Sequence, residues 1–142
     1  KLHGIVTQNI DGLHQKAGSQ NVMELHGSIL KNYCTQCGRS YDVDSFLSLC
    51  SPVPHCPYCG GIVKPDVVLY EEPLDMDTME DAMDAIQTAD MLIIGGTSLV
   101  VYPAAGFIDY FAGDSLVMIN HSTCDLVFHD SVGKILGEVV GV

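Results

Sequence analysis

Positive charge is scarce in this chain. Six Lys and Arg stand against 18 Asp and Glu among 142 residues, giving a formal net charge of -12. So few cations cannot form the basic stripe that neutralises a phosphate backbone, which argues against nucleic acid as a partner. An acidic surface favours cationic partners instead, lysine-rich tails included, although net charge speaks to steering more than to specific sites. Long apolar runs are missing as well. None reaches the roughly 18 residues that span a bilayer, and the N-terminus lacks the basic-then-apolar layout of a secretory signal. The expectation is therefore a soluble, cytoplasmic chain without a membrane partner. No internal repeat or low-complexity segment is visible, and there is no G-x-G-x-x-G, which argues against a hydride-transferring dehydrogenase.

What is present begins with cysteine. Cys34-Thr35-Gln36-Cys37 and Cys56-Pro57-Tyr58-Cys59 are two C-x-x-C pairs. Each such turn holds two sulfurs close enough to share a metal, and two turns together can close a tetrahedral shell around one Zn²⁺. Gly38 and Gly60 directly follow the pairs, where a tight turn around a metal tolerates a residue without a side chain. Four thiolates leave no position for water, so this metal is expected to be structural and the chemistry to lie elsewhere. Cys50 and Cys124 stand alone, and the whole pattern fits a reducing compartment better than a disulfide scaffold.

The remaining chain reads as alternating strands and helices. Leu2 to Val6 is the end of a strand that runs into the polar stretch Thr7-Gln8-Asn9-Ile10-Asp11-Gly12, and a strand so early is expected to need an upstream partner. Val22 to Leu30 is a short apolar stretch. Pro65 to Tyr70 is extended, led in by proline. Leu74, Met79, Met83 and Ile86 mark one face of an amphipathic helix, with Asp77, Glu80, Asp81 and Asp84 on its solvated side. Met91-Leu92-Ile93-Ile94 predicts a strand covered on both faces. Pro103 to Phe111 predicts a helix, Leu116 to Ile119 a second buried strand, and 132–140 a helical tail.

That order predicts the α/β class: a Rossmann-like parallel sheet with helices on both faces, plus a small zinc-ribbon insert held by four cysteines. Residues 1–31 and 64–142 would form the sheet domain and 32–63 the ribbon. Ligands in such sheets sit beyond the C-terminal strand ends, and Gln8-Asn9-Ile10-Asp11, Gly96-Thr97-Ser98 and Asn120 each follow a predicted strand, so their loops are expected to converge on one crevice. Taken alone, a Gly-Gly-Thr-Ser stretch is more often a plain turn, and Asp11-Gly12 fits a simple turn equally well.

In combination these segments are more specific. Thr7 to His14 (TQNIDGLH), Glu24-Leu25-His26-Gly27, the two C-x-x-C pairs, Lys64-Pro65-Asp66-Val67-Val68, and Gly96 to Ala105 together resemble the sirtuin family, in the order and spacing of its bacterial members. The resemblance implies an NAD-dependent protein lysine deacetylase or deacylase that releases nicotinamide and O-acyl-ADP-ribose. In that mechanism the amide oxygen of an acyl-lysine attacks the anomeric carbon of the nicotinamide ribose, and a ribose hydroxyl then attacks the resulting imidate. His26 matches the general base of the second step, a task suited to an imidazole at neutral pH.

By the same resemblance Gln8, Asn9, Ile10 and Asp11 hold the nicotinamide end of NAD. Gly96, Thr97, Ser98 and Asn120 serve the adenosine and phosphate side, with Ser131 near the adenine. Val67, Val68 and Tyr70 match the segment that pairs with an acetylated or acylated lysine peptide. Cys34, Cys37, Cys56 and Cys59 match the ligands of a structural Zn²⁺. The protein is expected to act as a monomer.

Protein mono-ADP-ribosyl transfer and an inactive zinc-ribbon module that binds peptides are the alternative readings. Three departures from the family pattern stand out. Tyr70-Glu71 occupies the place of Phe-Gly, only four residues separate Asn120 from Asp125, and the Gly-Ala-Gly loop that cradles the NAD phosphates is not among these residues. These residues alone are thus expected to lack part of the NAD site and to expose a sheet edge.

Overall fold

The computed structural model describes residues 2–50 and 52–119. Two compact units part between Met79 and Glu80. In the first, β1 (Ile5–Thr7) and β2 (Val22–Glu24) pair in parallel, joined through the short helix α1 (Leu13–Lys16). Beyond them, β3 (Gly27–Cys34), β4 (Ser40–Tyr41) and β5 (Val63–Val67) form an antiparallel sheet in the order β4-β3-β5. Helix α2 (Val43–Ser48) follows β4. It starts where Asp42 Oδ1 accepts the Ser45 N–H at 2.8 Å, a side-chain cap for an otherwise unpaired amide.

The register of β3 against β5 breaks once. Gly27 and Ser28 face Val67 and Asp66, and Asn32, Tyr33 and Cys34 face Pro65, Lys64 and Val63. Ile29, Leu30 and Lys31 therefore bulge out of the ladder. An outward excursion of this kind frees backbone groups for other partners.

Helix α3 (Met76–Gln87) begins in the first unit and continues into the second. Asp75 opens it, its carboxylate accepting the Thr78 N–H at 2.9 Å. Ala82 and Ile86 are its buried residues, so Leu74 lies ahead of the helix while the predicted apolar stripe holds from Met79 onward. In the second unit β6 (Met91–Gly95) and β7 (Ser115–Ile119) pair in parallel over five residues each, connected through a 3-10 helix (Ala104–Tyr110) where an ordinary helix was expected.

The α/β class and the parallel strand pairs match the sequence expectation. One feature of the strands differs. Met91 and Ile93 are 54% and 48% exposed and Leu116 is 44% exposed, so among the described residues β6 and β7 are not covered on both faces. Side chains alternate across a strand, and an unbroken apolar run cannot by itself say that both faces are covered. The predicted tail helix over 132–140 lies outside the described residues, as do Asn120 and Ser131. Among the described residues no helix is long and apolar enough to cross a membrane.

Candidate active site and metal cluster

The loop after β1 is fixed at each of its residues. Thr7, buried, accepts the Asn9 N–H on its hydroxyl at 3.1 Å. Gln8 offers its carbonyl to His26 Nδ1 at 3.0 Å. Ile10 accepts the N–H of Ile29 at 3.0 Å, an amide on the side of the strand away from β5. Asp11 Oδ1 accepts the Leu13 N–H at 3.0 Å, and Gly12 at φ 69° completes the turn into α1. The plain turn at Asp11-Gly12 is thus present. A carboxylate has a second oxygen, so the turn does not preclude a ligand contact.

The contact between His26 and Gln8 carries chemical information. A carbonyl oxygen only accepts, so Nδ1 must hold the ring proton, and the lone pair of neutral His26 lies on Nε2. The ring is half-buried. His26 is also bound through its main chain, its carbonyl accepting the Val68 N–H at 3.1 Å. The next residue, Gly27, has φ 74° and lies against Val67, so close that a Cβ there would collide with the Asp66 carbonyl. Gly27 therefore sets how tightly the His26 strand meets the segment that carries Val67 and Val68. Gly27 is not among the residues the sequence pattern marks for the site, although its place directly after His26 is the available signal.

Val68 thus meets His26 and, through its ring, Gln8, while Val67 pairs with Gly27. Tyr70 stands apart at full exposure. The turn beyond it is closed by Glu72, whose carboxylate accepts the Leu69 N–H at 2.9 Å and lies 3.7 Å from Lys64 Nζ. Glu71 in that turn has φ 72°, the left-handed conformation that favours the glycine of the Phe-Gly pattern it departs from. In the second unit Gly96 has φ 67° and donates its N–H to Ile119 O at 3.1 Å, and the Thr97 hydroxyl accepts the Leu99 N–H at 3.2 Å. Ser98 is exposed.

The four cysteines converge at the far end of the antiparallel sheet. Cys34, Cys37, Cys56 and Cys59 place their sulfurs within 4.8 Å of one another, with Cys34 to Cys59 at 3.4 Å and Cys37 to Cys56 at 3.8 Å. Zinc–sulfur bonds of about 2.3 Å in a tetrahedron put sulfurs roughly 3.8 Å apart, so the cluster fits a Zn²⁺. Cys34 and Cys56 are buried beside Val63, with Tyr41, Phe46 and Leu49 packed around them, while Cys37 and Cys59 face solvent. Arg39 stacks 3.7 Å from the centre of the Tyr58 ring and so clasps one knuckle to the other.

The metal-free thiols are strongly unequal. A hydrogen bond from the Tyr41 hydroxyl, 3.0 Å from Cys56 Sγ, holds the Cys56 thiol down to about 6. The same bond pushes the Tyr41 phenol above its ordinary value. The backbone amide of Cys37 draws Cys34 downward. At Cys59 the Gly61 amide lowers the value, but the hydrogen bond with Cys34, burial and the other sulfurs outweigh it and push the thiol up to about 12. The Cys59 sulfur, so raised, would keep its proton until a cation displaces it. A ligand set that sheds its last proton to a metal is the chemistry of a thiolate zinc site.

The model of the Sir2 family matches residues 1–103. The chain belongs to the Sir2 family. Among its relatives, the NAD-dependent protein deacetylase of Clostridium perfringens is 62% identical over 147 aligned positions, covering 99% of this chain and 60% of that protein. The NAD-dependent protein deacetylase of Clostridium acetobutylicum is 58% identical, with the same two coverages. A solved Sir2 with a p53 peptide and NAD+ superposes with a TM-score of 0.88 at 34% identity, covering 99% of this chain and 64% of that one. A Sir2 bound to acetylated peptide gives 0.88 at 33%, with coverages of 99% and 64%. This Sir2-family chain thus spans about three-fifths of the length of the curated relatives it matches.

Proposed function

We propose that this chain carries the base, the nicotinamide loop and the peptide-binding strand of an NAD-dependent protein lysine deacylase, a transferase that moves the acyl group of lysine onto ADP-ribose. The observation that carries the reading is the contact of His26 Nδ1 with the Gln8 carbonyl, because it joins a base with Nε2 available to the loop proposed for nicotinamide. NAD, as co-substrate, supplies the ribose carbon that releases nicotinamide and the ribose hydroxyl that takes the acyl group. His26 Nε2 would accept the proton of that hydroxyl. Gln8, Asn9, Ile10 and Asp11 would orient the nicotinamide end, and Gly96, Thr97 and Ser98, with Asn120 and Ser131, the adenosine and phosphate side.

The proposed substrate is an acetylated or acylated lysine in an extended peptide. Among the described residues β5 is an edge strand of its sheet. Val68 gives its N–H to His26, so the amide and carbonyl of Val67, one residue earlier, face the open edge, where an incoming strand can pair. Pro65, which has no N–H, suits an edge position. Tyr70 would border the entering side chain. Cys34, Cys37, Cys56 and Cys59 would hold a structural Zn²⁺. The free thiols of the described residues support a reducing, cytoplasmic setting, and the unit of action is proposed as a monomer.

The test uses the full-length protein with NAD and an acetyl-lysine peptide, following nicotinamide and O-acetyl-ADP-ribose by mass spectrometry. Stoichiometric formation of both, lost in His26→Ala with the melting curve kept, is the expected result. ADP-ribose attached to protein in place of O-acetyl-ADP-ribose would replace the deacylase reading with mono-ADP-ribosyl transfer. Full turnover in His26→Ala would remove His26 as the base.

A further inference from the structure

The sulfurs of the metal cluster differ in what surrounds them. Cys56 Sγ lies 3.0 Å from the hydroxyl of Tyr41, and Cys56 is buried at 2% exposure. A phenol hydroxyl can donate and a metal-bound thiolate can only accept, which fixes the direction of this bond. Tyr41 is held in place from three sides. Its strand pairs it with Asn32, the Asn32 side-chain amide lies 3.5 Å from its carbonyl, and its ring packs on Cys34, Cys56 and Val63.

Electrostatics give this donor a task. Zn²⁺ with four thiolates carries a net charge of about -2, half-buried in a protein whose own charge is already strongly negative. Such a centre is stabilised by positive dipole ends aimed at its sulfurs, and more so where water is excluded, as it is at Cys56.

We propose that Tyr41 is a positioning residue of the zinc centre, whose hydroxyl holds Cys56 Sγ at its vertex, offsets the charge of the tetrathiolate and retains the metal. The inference rests on the zinc assignment and is independent of the deacylase reading. Tyr41→Phe removes one oxygen and keeps the ring in the core, so packing around Val63 persists. Outer hydrogen-bond partners of metal ligands are worth about 10- to 100-fold in metal affinity, and a loss of that size is expected here.

The experiment measures zinc affinity by chelator competition in full-length wild type, Tyr41→Phe and Tyr33→Phe. It also records the thiolate-to-metal charge-transfer band of the cobalt(II)-substituted proteins. A bond donated to sulfur lowers the energy of the sulfur electrons, so Tyr41→Phe should move the band to longer wavelength, a signature that ring packing alone would not produce. Tyr33, whose ring lies 5.8 Å from Lys64 Nζ, is the control and should keep wild-type affinity and band position. Unchanged affinity and an unmoved band in Tyr41→Phe would overturn the proposal, as would an equal loss in Tyr33→Phe. A wild type that binds no zinc would overturn the zinc assignment itself, and the proposal with it.

Discussion

Replacing Gly27 with alanine isolates the contact on which the proposed site depends. Two costs arise. The residue sits at φ 74°, where a side chain costs an L-residue about 1–2 kcal/mol. The added Cβ would also strike the backbone carbonyl of Asp66, and because that atom is main chain the strands must part. Parting them loosens the Val68 N–H bond to the His26 carbonyl, and each backbone bond lost is worth about 1 kcal/mol net. Against this, alanine stiffens the unfolded chain and returns about 0.4–1 kcal/mol. The balance is a destabilisation of about 1–2.5 kcal/mol.

Gly18 provides the control, since its φ is 96° but nothing lies within 4 Å of a Cβ placed there. Gly18→Ala should cost about 1 kcal/mol or less, the conformational part alone. With a urea slope of about 2 kcal/mol/M, the strand contribution of about 1 kcal/mol should separate the two variants by about 0.5 M in midpoint, measured in the full-length protein. Coincident midpoints would refute the argument that close strand approach, and not the glycine's φ alone, is what position 27 requires.

Glu71→Gly should be neutral or slightly stabilising, because relief of the left-handed strain offsets the flexibility glycine adds to the unfolded chain; a loss above about 1 kcal/mol in thermal melts would show that the Glu71 side chain matters to the turn. Asp42 and Asp75 have carboxyls held below the ordinary range, chiefly by the backbone N–H groups of Ser45 and Thr78. A depressed value contributes stability above the unfolded-state value of about 3.9 and loses it as pH falls through the folded one. Urea midpoints should therefore fall on acidification below about pH 4, and by less in Asp75→Asn, which cannot titrate; identical acid profiles would count against the cap. Chelation, or Cys56→Ser, should unfold the β3–β5 region, since structural zinc supplies an apparent 10–16 kcal/mol, roughly, in small finger peptides. A melting curve indifferent to chelator would remove the structural role.

Much of this was legible before any coordinates, and the reason differs by element. The cysteine pairs carry their geometry in their spacing, and the structure brings all four sulfurs within 4.8 Å. The amphipathic pattern of α3 was readable because one face packs, as Ala82 and Ile86 show. What stayed hidden depends on pairing across the chain. Nothing local to Tyr41 announces that its hydroxyl meets Cys56, 15 residues away. Helix α2 is short, and its cap at Asp42 and Ser45 is the one local sign of it. The exposed outer face of β6 escaped for the opposite reason, because an apolar run describes a strand's composition and says nothing of what lies against it.

Strand β3 shows how metal cluster, base and loop belong to one framework. Cys34 pairs with Val63 at one end of β3 and Gly27 with Val67 at the other, so the strand that enters the metal cluster is the strand that leaves His26. An unbroken ladder would commit every second N–H of β3 to β5. Ile29, whose amide faces away from β5, gives its N–H to Ile10 instead, in the loop whose Gln8 carbonyl already orients the His26 ring. The same strand thus braces the loop from the Ile29 side and the histidine from the Gly27 side. A metal that rigidifies the Cys34 end is joined to the geometry at His26 through the residues around the β3 bulge and through β5, which pairs with β3 on both sides of it. Loss of zinc should therefore loosen Asn32 to Cys34 first and reach His26 last, an order that hydrogen exchange along β3 would resolve.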